Sequence, residues 1–135
     1  MRVALTAIGV AMWVAAGCTA APPTGASPTP SVVVVESVQA NPTAYRGPCP
    51  YTITFSARIT VTGGPGAISY RFIRSDSAQG PVRTLTFKEP GSADVRDTWQ
   101  LGLPGFRYSG WEAVRIVSPP PGSDSPHANF TISCT

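Results

Sequence analysis

The stretch that decides the fold is Tyr51-Thr52-Ile53-Thr54-Phe55-Ser56-Ala57-Arg58-Ile59-Thr60-Val61-Thr62. Its odd positions are Tyr, Ile, Phe, Ala, Ile and Val. Its even positions are Thr, Thr, Ser, Arg, Thr and Thr. A β-strand turns successive side chains to opposite faces, so the alternation describes one buried face and one wet face. Helical periodicity would bring apolar residues round every third or fourth position, and nothing of that kind is present here.

The flanking sequence repeats the theme. Gly63-Gly64-Pro65-Gly66 ends the strand and reads as a turn. Ile68, Tyr70 and Phe72 then alternate with Ser69, Arg71 and Ile73, and Ser75 to Pro81 is a loop. Leu85 and Phe87 carry a short strand from Val82, and Glu89-Pro90-Gly91-Ser92 turns the chain. Val95, Trp99 and Leu101 mark another strand, with Asp97 as an unexplained polar residue at the same phase. Gly102 to Gly110 reads as a loop. Trp111 to Ser118 reads as a strand with Val114 and Ile116 on one face, and Ser118 to Pro126 as a proline-rich loop. Ala128, Phe130, Ile132 and Cys134 alternate to the end, and Val32 to Val38 is an apolar first strand. Seven strands separated by turn signals predict an all-β fold, a seven-stranded β-sandwich of the immunoglobulin or fibronectin type III kind.

Composition agrees with this reading. The chain has 135 residues, enough for one domain, with 13 Gly and 15 Pro, which suit turns and break helices. Charged residues are 13% and the net charge is +3, too weak an excess to argue for nucleic acid.

The N-terminus reads as an address. Met1-Arg2 is followed by Val3 to Gly17, uncharged and mostly Ala, Val, Ile, Leu, Met and Trp. As a helix this run would span roughly 22 Å, short of the ~30 Å hydrocarbon core, so it fits a signal-peptide core better than a membrane span. Residues 1–17 are therefore expected to be a signal peptide. Val14-Ala15-Ala16-Gly17-Cys18 places small residues before a cysteine and looks like a bacterial lipobox. In such a motif the chain is cut before the cysteine, whose thiol takes a diacylglycerol with palmitate-type chains. Ala15 departs from the usual Leu, and Ala15 with Gly17 would also suit the ordinary signal peptidase, leaving plain secretion as the alternative. Residues 18–31 would then form a lipidated Cys18 and a disordered tether. Thr19 to Ser31 (TAAPPTGASPTPS) has no charge and no large apolar residue, so it cannot build a core. Residues 32–135 are left as the folded domain.

The cysteines fit this plan. An exported chain with Cys18, Cys49 and Cys134 has one thiol too many. A lipid on Cys18 accounts for it, and Cys49 and Cys134 are left to pair in an oxidising compartment. The bridge would join positions 85 residues apart, which the chain-entropy treatment values at roughly 4.5 kcal/mol. With strands alternating in direction, Cys49 and Cys134 fall at one end of the sandwich. In an immunoglobulin-like order they belong to opposite sheets.

Several segments carry a resemblance. Cys49-Pro50 with Phe55-Ser56-Ala57-Arg58-Ile59, YRFIRSD (Tyr70 to Asp76), DTW (Asp97 to Trp99), YSGWEAVRI (Tyr108 to Ile116) and ANFTISC (Ala128 to Cys134) resemble a bacterial family. It is a small exported Ig-like domain of actinobacterial lipoproteins and secreted proteins. The resemblance covers about Tyr45 to Cys134. It implies fold and location and says nothing of catalysis.

The search for chemistry yields little. His127 is the one histidine, with Asp124 near it, but no Gly-x-Ser-x-Gly elbow accompanies them. The acids Glu36, Asp76, Glu89, Asp94, Asp97, Glu112 and Asp124 are scattered, and Asp94 and Asp97 flanking Arg96 read as a solvated strand with surface pairs. One His and no Cys-x-x-Cys make a zinc site unexpected, and no cofactor is implied. Phe106, Arg107, Tyr108 and Trp111 fall within six residues and form the expected contact loop. Tyr108 has a competing structural role as the tyrosine corner, its hydroxyl bonding backbone. Arg71 and Arg115 would form a small outward basic stripe. The expectation is a non-enzymatic lipoprotein on the outer face of the cytoplasmic membrane. It would present an Ig-like binding or adhesion module to an envelope protein or glycan, with the membrane met only through the N-terminal lipid. The alternatives are a structural accessory or spacer and a plainly secreted Ig-like protein.

Overall fold

The computed structural model describes residue 17 and residues 32–63, 66–118, 121–122 and 124–135. The expected signal peptide (save residue 17), Cys18 and the expected tether lie outside the described residues. All regular structure among the described residues is strand. The strands are β1 (Val32–Asn41), β2 (Ala44–Gly47), β3 (Tyr51–Thr62), β4 (Gly66–Arg74), β5 (Arg83–Phe87), β6 (Gly91–Leu101), β7 (Arg107–Ser118) and β8 (Ala128–Cys134). They form two sheets, ordered β1-β3-β6 and β2-β8-β7-β4-β5. The long strands β3 and β7 run through the interiors of their sheets, each paired on both sides.

The decisive stretch does what its period requires. In β3 the side chains of Ile53, Phe55, Ala57, Ile59 and Val61 are buried, while Thr52, Arg58 and Thr62 are solvent-facing or half-exposed. The other sheet answers with Tyr70, Phe72, Val114, Ile116, Phe130 and Ile132. The phenyl ring of Phe130 receives Phe55 and Trp99 edge-on, each at 5.5 Å between centroids. Edge-to-face rings place positive ring edge on negative ring face and add about 1 kcal/mol beyond burial.

Among the described residues eight strands are present where seven were expected. The extra one is β2, four residues held between Pro42 and Pro48 and paired in parallel with the last strand. Four residues are too few to display a period, so the sequence gives no sign of it. In β1 the apolar phase changes midway. Val33 and Val35 lean inward before Glu36, Val38 and Ala40 after it, and the register with β3 shifts between Val35 and Ser37. One extra residue in a strand inverts the facing of all that follow, and Glu36 is that residue. Its carboxylate accepts a hydrogen bond from the Thr60 hydroxyl at 2.7 Å.

The bridge between Cys49 and Cys134 is formed, with Cα atoms 5.5 Å apart. Cys49 leads into β3 and Cys134 closes β8, so it staples the two sheets together at one end. Gly102, at the exit of β6, lies directly on it. A Cβ there would run into both sulfurs, and its φ of +94° lies where L-residues are strained. Gly102→Ala should therefore cost about 2 kcal/mol or more in chemical denaturation, from the sulfur clash and the backbone together. In a Cys49→Ala/Cys134→Ala background the added cost should fall to about 1 kcal/mol, the backbone strain alone. Equal costs in the two backgrounds would mean that the bridge is not what fills the space.

Candidate functional site

The expected contact residues are divided by a strand. Residues 102–110 are not one loop, because β7 begins at Arg107. Pleating then sends Tyr108 inward and Arg107 and Trp111 outward. Phe106 and Tyr108 pack against the core, with Phe106 stacked on Tyr108 at 5.9 Å and Tyr108 edge-on to Trp99 at 5.9 Å. The Tyr108 hydroxyl lies 2.8 Å from Ser75 Oγ, which accepts the Trp111 N–H at 3.1 Å. Tyr108 thus reaches a side chain where a tyrosine corner would reach backbone. The tyrosine that donates to a nearby backbone carbonyl is Tyr45, to Pro48 at 2.8 Å.

Trp111 stands on the outer face of the five-stranded sheet. His127 stacks on its indole at 3.7 Å with the rings within 6° of parallel. Asp124, the acid near His127 in sequence, is taken by Arg115 in a bidentate pair at 2.6 and 2.8 Å. The guanidinium holds the Asp124 carboxyl below the usual carboxylate range. His127 is therefore an aromatic surface residue beside an ion pair. Arg71 and Arg115 are register partners, as the stripe requires. Each is nevertheless engaged, Arg71 donating to Gln79 at 2.6 Å and Arg115 to Asp124.

The end of the sandwich that carries the disulfide forms a second surface. Leu103 there is 72% exposed, the most exposed of the large apolar side chains among the described residues. Arg46 and Arg107 are register partners of Ser133 from its two neighbouring strands, and both are exposed. Val32 pairs with Thr62 and Tyr51 with Leu101, so this end and the chain's entry into the domain lie at opposite ends of β3. Twelve residues of strand separate them by roughly 36 Å.

The sequence reading missed a buried ionic cluster. Asp97 is not a surface residue of a solvated strand, since its side chain is only 12% exposed. Its carboxylate accepts from Arg74 at 3.2 Å and from Arg83 at 2.9 Å. Glu112, opposite Arg74 in the β4–β7 register, is fully buried, and neither of its oxygens makes a hydrogen bond. Arg74 Nε is 3.5 Å from it, and the Arg74 guanidinium also lies over the Trp99 ring at 4.8 Å. Arg83 and Arg74 further donate to the backbone carbonyls of Arg96 and Thr98, on the free edge of β6. The cluster closes the seam between the two sheets on the β5–β6 side. Both signals were in the sequence: Asp97 holds the phase of Val95 and Trp99, and Glu112 that of Val114 and Ile116.

Two carboxyl groups together could serve acid–base chemistry, but here each Asp97 oxygen is engaged by an arginine and Glu112 has no access to solvent. The described residues hold no group of three or more possible metal ligands.

No family model matches the chain, and no curated protein sequence matches it. Solved structures do. The chain is similar to part of an alkylpurine DNA glycosylase from Pseudomonas fluorescens, bound to DNA containing an abasic site analog, at 12% identity and a TM-score of 0.56. It is also similar to part of a β-glucosidase from Erythrobacter marinus, at 12% identity and a TM-score of 0.54. These matches cover 76% and 78% of this chain but only 30% and 16% of the other two. At that identity the likeness is one of fold.

Burial pushes the Glu112 carboxyl up to about 8, the Asp97 carboxylate adds to the rise, and Arg74 opposes both. The folded state therefore keeps a proton that the unfolded chain gives up near pH 4.5. Stability should be greatest below that pH step and should fall as pH rises toward 8, by about 5 kcal/mol at most. Denaturation midpoints measured from pH 5 to pH 8 should decline for the wild type and stay nearly level for Glu112→Gln. A wild-type midpoint that rises over this range would contradict a neutral buried Glu112.

Proposed function

We propose that this protein is a bacterial envelope lipoprotein whose lipid on Cys18 and Pro/Thr/Ser tether carry a non-catalytic Ig-like contact module. The sheet orders β1-β3-β6 and β2-β8-β7-β4-β5 support the Ig-like part of this reading. On this reading they are strands A, B and E facing G, F and C, with the short β2 as a split first strand and β5 added beside C. An inter-sheet bridge at one end suits an exported domain.

The observation that carries the functional reading is the placement of Leu103, Arg46 and Arg107 at the end of the sandwich farthest from Val32. A domain tethered at Val32 would present that end outward from the membrane. An exposed apolar side chain with arginines beside it is a common make-up for a protein contact. Phe106 serves this end by packing beneath the loop rather than by reaching out, and Tyr108 does the same. A spacer would have no use for an apolar tip. The acidic groups closest to one another are locked into the seam, which favours a binding role over a catalytic one.

Two measurements test this. Intact mass of the protein from its native membrane fraction should show a diacylglyceryl group starting at Cys18, and reduction should add two hydrogens. A photo-crosslinking amino acid at Leu103 should give a discrete adduct in living cells, while one at Lys88, on the tethered end, should not. A soluble product without lipid would make the protein a secreted one, and equal labelling from both positions would remove the distal end as the contact.

A further inference from the structure

Trp111 borders two shallow grooves on the outer face of the five-stranded sheet. On one side a groove of about 310 Å³ is lined by Thr43, Ser109, Asn129 and Thr131, with Gly110 and Phe130 in its floor. On the other a groove of about 240 Å³ runs past Ser77, Gln79, Arg115 and Asp124. The indole, with the exposed His127 ring stacked on it, is the ridge between them. A path from Thr43 beside β2 over β8 and β7 to β4 crosses three strand spacings, roughly 15 Å. Leu103, Arg46 and Arg107 are not among the residues that line either groove.

The lining selects the ligand. The first groove contains no charged side chain, and its polar groups are two threonine hydroxyls, a serine hydroxyl and an amide. In the second groove Arg115 and Asp124 neutralise each other, and Arg74 is committed to Asp97 and Glu112. The two linings offer hydroxyl and amide donors and acceptors around an aromatic ridge, and Arg107, two residues from Ser109 on the same face, stands just outside them. A nucleic acid would find no cation within the first groove to pair its phosphates. A helical peptide would look for a continuous apolar trough, and an extended one for an open strand edge, which a sheet face does not supply. An uncharged sugar chain meets the conditions. Its C–H faces carry slight positive charge that suits the negative face of an aromatic ring, and its hydroxyls pair with hydroxyls and amides.

We infer that the outer face around Trp111 is a binding site for an uncharged glycan, with sugar residues seated on either side of the Trp111–His127 ridge. This rests on the reading of the domain as a displayed contact module, and it adds a second surface to the distal tip.

The test is titration of the full chain, followed by calorimetry, with three uncharged hexasaccharides (gluco-, manno- and galacto-configured) and with a hexauronic acid as the charged probe. At least one uncharged hexasaccharide should bind with a Kd of about 1 mM or tighter, and the uronic acid should bind more weakly. Ser109→Tyr fills the first groove from an exposed position and should abolish the binding, as should Trp111→Ala. If Trp111→Ala fails to fold, Ser109→Tyr decides. Leu103→Ala should leave sugar binding unchanged. Absence of binding to all three uncharged sugars overturns the inference, as does preference for the uronic acid or binding that survives Ser109→Tyr. Such a failure would leave the Leu103 crosslink untouched, whereas loss of that crosslink alone would count against the distal tip and not against this face.

Discussion

Phe130 is where the two sheets of this protein become one body. Its ring lies on the inner face of β8 and takes Phe55 from β3 and Trp99 from β6, both edge-on, while Tyr108 tilts against it from β7. A sheet with one apolar face must bury it, and two such faces laid together leave only the seams and ends to be closed. The rest of the structure is an account of how each is closed. Arg74, Arg83, Asp97 and Glu112 close one seam, and the Cys49–Cys134 bridge closes one end.

The two closures work by different physics. The bridge acts mainly by restricting the unfolded chain, and so its contribution is nearly independent of pH. The ionic cluster acts through desolvated charge. Removing either partner of a buried pair is costly, yet the pair itself need not add net stability. Its evident service is geometric. Two arginines cover carbonyls on the open edge of β6, an edge that would otherwise invite another strand. With Glu112 neutral, two carboxyl groups can be withdrawn from water side by side while the arginines keep part of their surface exposed.

The candidate surfaces follow from the same pleat. Because Tyr108 and Trp111 are three residues apart on one strand, they face opposite ways, and an aromatic cluster in sequence becomes two separate features in space. One supports the core below the loop that carries Leu103. The other stands on the outer sheet with His127, a residue that sequence distance ties only to Asp124. The strand β7 thus joins the end of the domain to its broad face.

The sequence by itself determined the all-β class, the inward set of β3 and β8, the inward Ile68, Tyr70, Phe72, Val114 and Ile116, and the pairing of Cys49 with Cys134. Those are local properties or follow from a count: period two needs no partner to be read, and setting aside the cysteine of a lipobox-like motif leaves two to pair without reference to a fold. Only the tertiary structure decided the rest. It showed β2, because four residues pair through neighbours and not through any pattern of their own. It showed that Glu36 inverts the phase of β1, because a bulge is defined by the opposite strand. It brought Asp97 to Glu112, from different sheets, because what meets across a sandwich depends on register and sheet order. That register and sheet order also place Trp111 against His127 and Ser109 beside Thr131.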